Sequence, residues 1–157
     1  MNPNIGITEK HLHKSTNILT ALLADEMTLY IKTRKFHWNV SGDSFMELHV
    51  LFQNQYSQLE STIDLIAERI NQLGSKTIGT LEEFKTHTRL KEHAGVYPNQ
   101  KEMLKQLLND HETIILELRK DLDKLTELGK DIGTIDFLTG ILEDHEKTAW
   151  ILRRYLG

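Results

Sequence analysis

Apolar residues recur along most of the chain with gaps of three and four, the spacing that gathers them on one face of an α-helix. The clearest run is Phe45, Leu48, Phe52, Tyr56, Leu59, Ile63, Ile66, Ile70 and Leu73, which predicts one continuous helix from Ser44 to the glycine at position 74. An earlier stripe of Leu12, Leu19, Leu22, Leu23, Met27 and Tyr30 predicts a first helix from about Thr8 to Arg34 or just beyond. Leu104, Leu107, Ile114, Leu118, Leu122 and Leu125 mark a third, opened by Pro98 in its first turn and by Asn99 with Glu102, and ending near Gly129. Leu138, Ile141, Leu142, Ala149 and Leu152 mark a fourth, from about Asp131 to the last residues. The break at Ser41, Gly42 and Asp43 divides the first two helices, with Ser44 and Glu47 reading as a capping box at the second. Residues 74 to 97 make a long connection in which Thr80 and Glu83 read as another capping box, so a short helix is expected from about 81 to 86.

Four long helices with one long connection between the second and third describe an all-α four-helix bundle with a crossover, the layout of ferritin-like folds, carrying a short extra helix in that connection. With 157 residues, 39% of them hydrophobic and 27% charged, the chain suits a single domain over 1–157, residues 1–7 forming a flexible tail. A net charge of −4 gives no general attraction to nucleic acid. The chain has no cysteine for disulfides, no signal segment and no apolar run long enough to span a bilayer, so a cytoplasmic protein is expected.

The second helix carries another stripe, about 100° round from its apolar one, made of His49, Gln53, Glu60, Asp64 and Glu68. Asp64 and Glu68 are four residues apart on one face, where two carboxylates repel by a few tenths of a kcal/mol unless a cation lies between them. A neighbouring Arg69 could be that cation. A metal ion could be too, and His37 and His49 tilt the choice, because imidazole with carboxylate suits iron, manganese or zinc. His49 and Asp64 are fifteen residues apart on one helix, about 22 Å at the α-helical rise, far beyond the reach of bonds to one metal. If both bind the same ion, the second ligand set comes from another subunit, across a two-fold axis that pairs this helix antiparallel with its mate. The sequence has no Glu-x-x-His motif, so an ordinary intrasubunit di-iron site is not expected. His111 and His145 fall within apolar stripes and read as buried, hydrogen-bonded core residues, while His11, His13, His87 and His93 read as exposed.

His37-Trp38-Asn39-Val40, His49 twelve residues on, and Asp64-x-x-Ala67-Glu68-Arg69 together resemble the Dps family of mini-ferritins. The likeness extends over nearly the whole chain, through His145-Glu146-Lys147-Thr148-Ala149-Trp150 in the last helix. It implies a hollow homo-oligomer, a dodecamer, whose ferroxidase centres lie at two-fold interfaces, with His37 and His49 from one subunit and Asp64 and Glu68 from its mate. It further implies oxidation of Fe(II), with hydrogen peroxide preferred to oxygen, storage of the Fe(III) mineral and protection against oxidative stress. Trp38 resembles the family tryptophan beside the iron, an electron donor or radical trap, and equally, without excluding that role, reads as a large aromatic packing the interface.

One turn after His49 the family commonly has an acidic residue, where this chain has Gln53, whose amide binds hard cations less strongly; a second iron position weaker than the first is therefore expected. Acidic residues near the start of the last helix line iron-entry pores in the family, and Asp131 and Asp136 are the counterparts. The competing function is DNA binding and nucleoid compaction through lysine-rich tails, for which the chain offers only Lys10 and Lys14 before the first helix is established, and Arg153 and Arg154 near its end.

Overall fold

The computed structural model describes residues 3–157, which form five helices: α1 Glu9–Asn39, α2 Phe45–Gln72, α3 Leu81–His87, α4 Gln100–Leu128 and α5 Ile132–Leu156. No strand occurs among the described residues. The α1/α2 hairpin and the α4/α5 hairpin pack along α1 and α4, with α2 and α5 touching more sparsely, and the connection carrying α3 crosses α1. This is the expected bundle. Its core is a continuous cluster in which Leu19, Leu22, Leu29, Phe52, Ile66, Ile70, Leu107, Ile114, Leu118, Leu138 and Leu152 are wholly enclosed.

Helix α1 runs five residues beyond Arg34 because its buried stripe continues through Leu29, Thr33 and Phe36 to Val40, and nothing breaks the chain before Gly42. That extension puts His37 and Trp38 in its last turn. At the start of α2 the expected Ser44/Glu47 box is absent: Ser44 lies at φ −98°, ψ 26°, outside the extended region a capping side chain needs, and makes no cap bond. The chain instead closes a turn from the Phe45 N–H to the Gly42 carbonyl, 3.0 Å, and the Glu47 carboxylate accepts from the Tyr155 hydroxyl of α5, 2.8 Å. At the far end of α2, Gly74 sits at φ +87°, its N–H bonded to Asn71 O and that of Ser75 to Ile70 O, a Schellman closure. The Thr80/Glu83 box forms as expected. Pro98 lies just outside α4 rather than in its first turn, because Asn99 is the N-cap and accepts from the Glu102 N–H at 3.0 Å. Within the stretch 1–7 expected to be loose, residues 1 and 2 lie outside the described residues, whereas Ile7 packs against the core.

Two ionic clusters fix the long connection. Arg89 donates its Nε to Asp25 Oδ2 of α1 at 2.7 Å and Nη1 to Asp121 Oδ2 of α4 at 2.9 Å, while the Arg89 N–H bonds to Asp25 Oδ1. Burial pushes the Asp25 carboxyl up despite the guanidinium beside it. Lys32 of α1 similarly reaches Asp110 of α4 and the Lys91 carbonyl, at 2.6 and 2.7 Å.

The core also encloses a polar chain. Glu26 of α1, His145 of α5 and His111 of α4, with 0%, 4% and 3% exposure, are linked by His145 Nε2 to Glu26 Oε1 at 2.6 Å and His111 Nδ1 to His145 Nδ1 at 2.8 Å. They adjoin a cavity of about 20 Å³, also lined by Gln55, with space for one water. The two histidines are buried and hydrogen-bonded as expected; Glu26, their third member, went unnoticed in the sequence. Burial, with the neighbouring His145, holds the His111 imidazole well below its ordinary pKa. The folded state therefore resists a proton that the unfolded chain accepts below about pH 6.5, so stability is intact above that pH and falls as pH drops through it, by about 1.4 kcal/mol per unit for this one group. Thermal unfolding followed from pH 7.5 to 5 should show the midpoint falling with acid, and His111→Leu should start lower but give a flatter profile. An equally steep profile in the variant assigns the acid lability to other groups.

Candidate metal centre

His37, in the last turn of α1, faces His49, in the second turn of α2, across the Ser41–Gly42 turn. Their rings stack with centroids 3.7 Å apart and planes 21° from parallel. Each Nδ1 bonds to the other residue's backbone carbonyl, His37 Nδ1 to His49 O at 2.8 Å and His49 Nδ1 to His37 O at 2.9 Å. A carbonyl oxygen only accepts, so each Nδ1 is the donor, and in the neutral imidazole it is Nε2 that keeps the lone pair. This is the orientation in which second-partner hydrogen bonds hold ligating histidines. One of the two carbonyls, His37 O, is an end-of-helix acceptor with no partner of its own along α1, which is why the crossed arrangement suits this junction. His37 is buried at 8% exposure, with Tyr56 edge-on to its ring at 5.2 Å.

Trp38, at 65% exposure, points away from the core with its ring 5.3 Å from the Arg34 guanidinium. The same guanidinium lies over Tyr30 and Tyr56, and Nη1 donates to the Tyr30 hydroxyl at 2.5 Å. Sequence reasoning missed this cluster; Arg34 and Trp38 at a spacing of four on a helix were its available signal.

Gln53, Asp64 and Glu68 are exposed on α2. Asp64 lines an open groove with Glu60, Met27 and Tyr30. Arg69, the alternative cation for the carboxylate pair, is engaged elsewhere, donating to Asp131 and Thr134 at 3.2 and 3.0 Å. Among the described residues no ion pair includes Asp64 or Glu68, and no three His, Asp or Glu side chains of one chain gather tightly enough to hold a metal. The structure thus brings His37 and His49 together and leaves Asp64 and Glu68 about 22 Å and more along the same helix.

Asp131 and Asp136 differ sharply. Asp131 is buried at the N-cap of α5, accepting from the Thr134 N–H at 3.1 Å and paired with Arg69. Burial alone would push its carboxyl up, but the bonds from Thr134 and the charge of Arg69 hold it below the usual carboxylate range. It is tied into the α2/α5 contact, whereas Asp136 is exposed. His13, His87 and His93 are exposed and His11 is half-buried.

The family model for the ferritin-like domain matches residues 16–157. The chain is 43% identical over 153 residues to an uncharacterised low temperature-induced protein of Nostoc sp., covering 98% of this chain and 86% of that one. It is 35% identical over 140 residues to DNA protection during starvation protein 2 of Bacillus anthracis, covering 89% and 94%. Among solved structures it is similar to the Dps protein of Vibrio cholerae O1, described as a member of a broad superfamily of ferritin-like diiron-carboxylate proteins, with a TM-score of 0.92 and 29% identity over 99% of this chain and 97% of that one. DpsC from Streptomyces coelicolor gives a TM-score of 0.95 at 28% identity, covering 100% and 91%.

The crossed hydrogen bonds generate a direct expectation. In metal-free protein labelled with ¹⁵N-histidine, long-range proton–nitrogen correlations recorded where the rings are neutral should show His37 and His49 as the Nδ1–H tautomer. A neutral ring carrying its proton on Nε2 instead of Nδ1 would rule out this arrangement.

Proposed function

This chain belongs to the Dps family of ferritin-like proteins, and from that footing we propose that it oxidises ferrous iron at centres shared between subunits and stores the ferric product as mineral inside a hollow homo-oligomer. The observation that carries the reading is the His37/His49 pair, two imidazoles each fixed by an Nδ1 bond to the other's carbonyl, with His49 on the same helix as two carboxylates that form no ion pair among the described residues. Iron enters as substrate. His37 and His49 of one subunit, with Asp64 and Glu68 of its two-fold mate, hold it: the carboxylates offset its charge and the imidazoles supply nitrogen donors suited to Fe(II). Hydrogen peroxide is the proposed oxidant in preference to oxygen. Two ferrous ions each give one electron, the O–O bond of one peroxide breaks, and its oxygens leave as hydroxide or in the hydrolysed ferric solid, so no hydroxyl radical is released. Trp38, beside the centre and exposed in the single subunit, is positioned to meet the mate and to give up an electron to a stray radical. Gln53 makes the second iron position the weaker one. The assembly is a dodecamer in the cytoplasm, guarding the cell against oxidative stress, and Asp136, exposed where Asp131 is buried, is the remaining residue of the proposed iron-entry pore.

The alternative, DNA compaction, draws on the name of the Bacillus anthracis relative, but α1 already starts at Glu9 and holds Lys10 and Lys14 on its first turns, with no cluster of cations beside them. The assembled protein should therefore leave plasmid unshifted in a gel at ~0.15 M salt and neutral pH, where screening is already strong. Retardation there would make nucleic acid a partner.

Sharing of the centre is tested by mixing two inactive proteins, one with His37→Ala and His49→Ala, the other with Asp64→Ala and Glu68→Ala. In a mixed two-fold pair one centre regains all four ligands and the other loses all four. Random co-assembly at equal amounts makes about half the pairs mixed, so peroxide-driven iron oxidation should return to about a quarter of wild type. Verified mixed assemblies as inactive as either parent would place the centre elsewhere.

A further inference from the structure

Glu60 has no assigned part, yet it lies on the α2 face that holds the proposed ligands. At about 100° per residue, His49, Gln53, Ser57, Glu60, Asp64 and Glu68 fall within an arc about 100° wide, with Glu60 between His49 and Asp64 in projection. Residues 53, 57, 60, 64 and 68 are all exposed. An antiparallel crossing that brings His49 of one subunit to Asp64 of the other fixes the rest of the register. Gln53 lies four residues on from His49 and Glu60 four residues before Asp64, so those two also face each other. The crossing point falls beside Ser57, whose small side chain lets two helices come close.

Glu60 shares with Asp64 a groove whose other lining residues are Met27, Tyr30, Ser61, Ile63 and Ala67, none of them cationic. Arg34 is the cation whose charge reaches Glu60, and its guanidinium is committed to the Tyr30 hydroxyl and three aromatic rings. What sets this row of carboxylates apart from a solvated acidic face is the imidazole pair that the two-fold pairing would set opposite it, with His37 buried and its Nε2 making no hydrogen bond among the described residues.

Resting on the two-fold reading above, we propose that Glu60 is a metal ligand, supplying from the mate, opposite Gln53, the carboxylate of a second divalent-cation position. Gln53 and Glu60 thereby exchange the usual roles of the two helices at this position: the neutral oxygen comes from the histidine side and the charged one from the carboxylate side. One carboxylate still serves the second ion, which makes it weaker than the first but present.

Co(II), which resists oxidation and reports its ligands by visible absorption, is the probe, titrated calorimetrically into the assembled protein. Wild type should take two Co(II) per centre, one tight and one weaker. Glu60→Gln, nearly isosteric and exposed, should keep the assembled size and the tight ion, and weaken the other by at least about ten-fold, since even indirect ligand partners are worth that much. Adding Gln53→Glu to that variant should restore the second ion. Unchanged titration of Glu60→Gln, or a wild type that takes one Co(II) per centre, overturns the proposal. His49→Ala separates the two levels: if it abolishes tight binding while Glu60→Gln changes nothing, only the role of Glu60 fails. If His49→Ala titrates like wild type, the shared centre fails with it.

Discussion

A straight α-helix is a ruler that no side chain can bend, and α2 sets the scale on which this protein works. Twenty-eight residues in one unbroken helix hold His49 near one end and Glu68 near the other, and a fixed rise of about 1.5 Å per residue keeps them apart whatever the rest of the chain does. A centre needing both ends must be completed by a second helix laid the other way. The exposed carboxylates, with the groove that holds Glu60 and Asp64 and has no cationic lining residue, and the imidazole pair are parts that a single subunit keeps separate. In the proposed pairing, two-fold symmetry would supply each missing half twice and set two centres about 22 Å apart.

The bundle serves that face by holding α2 rigid from behind. Ile66 and Ile70 are wholly enclosed beneath Asp64 and Glu68, and Arg69 locks the same turn to the start of α5 through Asp131 and Thr134. At the other end the crossed histidine bonds tie α2 to the end of α1. The charged contacts of this protein thus divide by burial. Those of Asp25, Asp110 and Asp131 are enclosed or nearly so, and removing one partner would strand a charge away from water, a loss of about 3 to 5 kcal/mol in typical cases. Exposed pairs such as Arg153 with Glu112 contribute little.

The helices and the face of α2 were legible because both are periodic: a spacing of three and four survives in the sequence whatever the partner, and His49, Asp64 and Glu68 lie on one such period. The even longer reach of α1 was written in the same way, in Thr33, Phe36 and Val40. What could not be read depends on groups brought together from afar. Ser44 and Glu47 have the spacing of a capping box, but a turn at Gly42 and the hydroxyl of Tyr155, 108 residues later, take their places. Nor could the sequence show that Asp131, expected at a pore, is a buried cap held by Arg69 from 62 residues away. Glu26 was the most available of these signals: it stands where a leucine would continue the Leu22 to Leu29 stripe, and an acid in such a place calls for a buried partner.

That acid also sets an order of events. Ribosomal synthesis delivers the α1/α2 hairpin first, and with it all four proposed ligands, before any of α4 or α5 exists. At that moment Glu26 faces the underside of the hairpin with no histidine beside it, and its partner His145 lies 119 residues downstream. An early hairpin therefore carries a defect that only the finished chain repairs, and it cannot settle with its apolar side against another copy without enclosing an unpaired carboxylate.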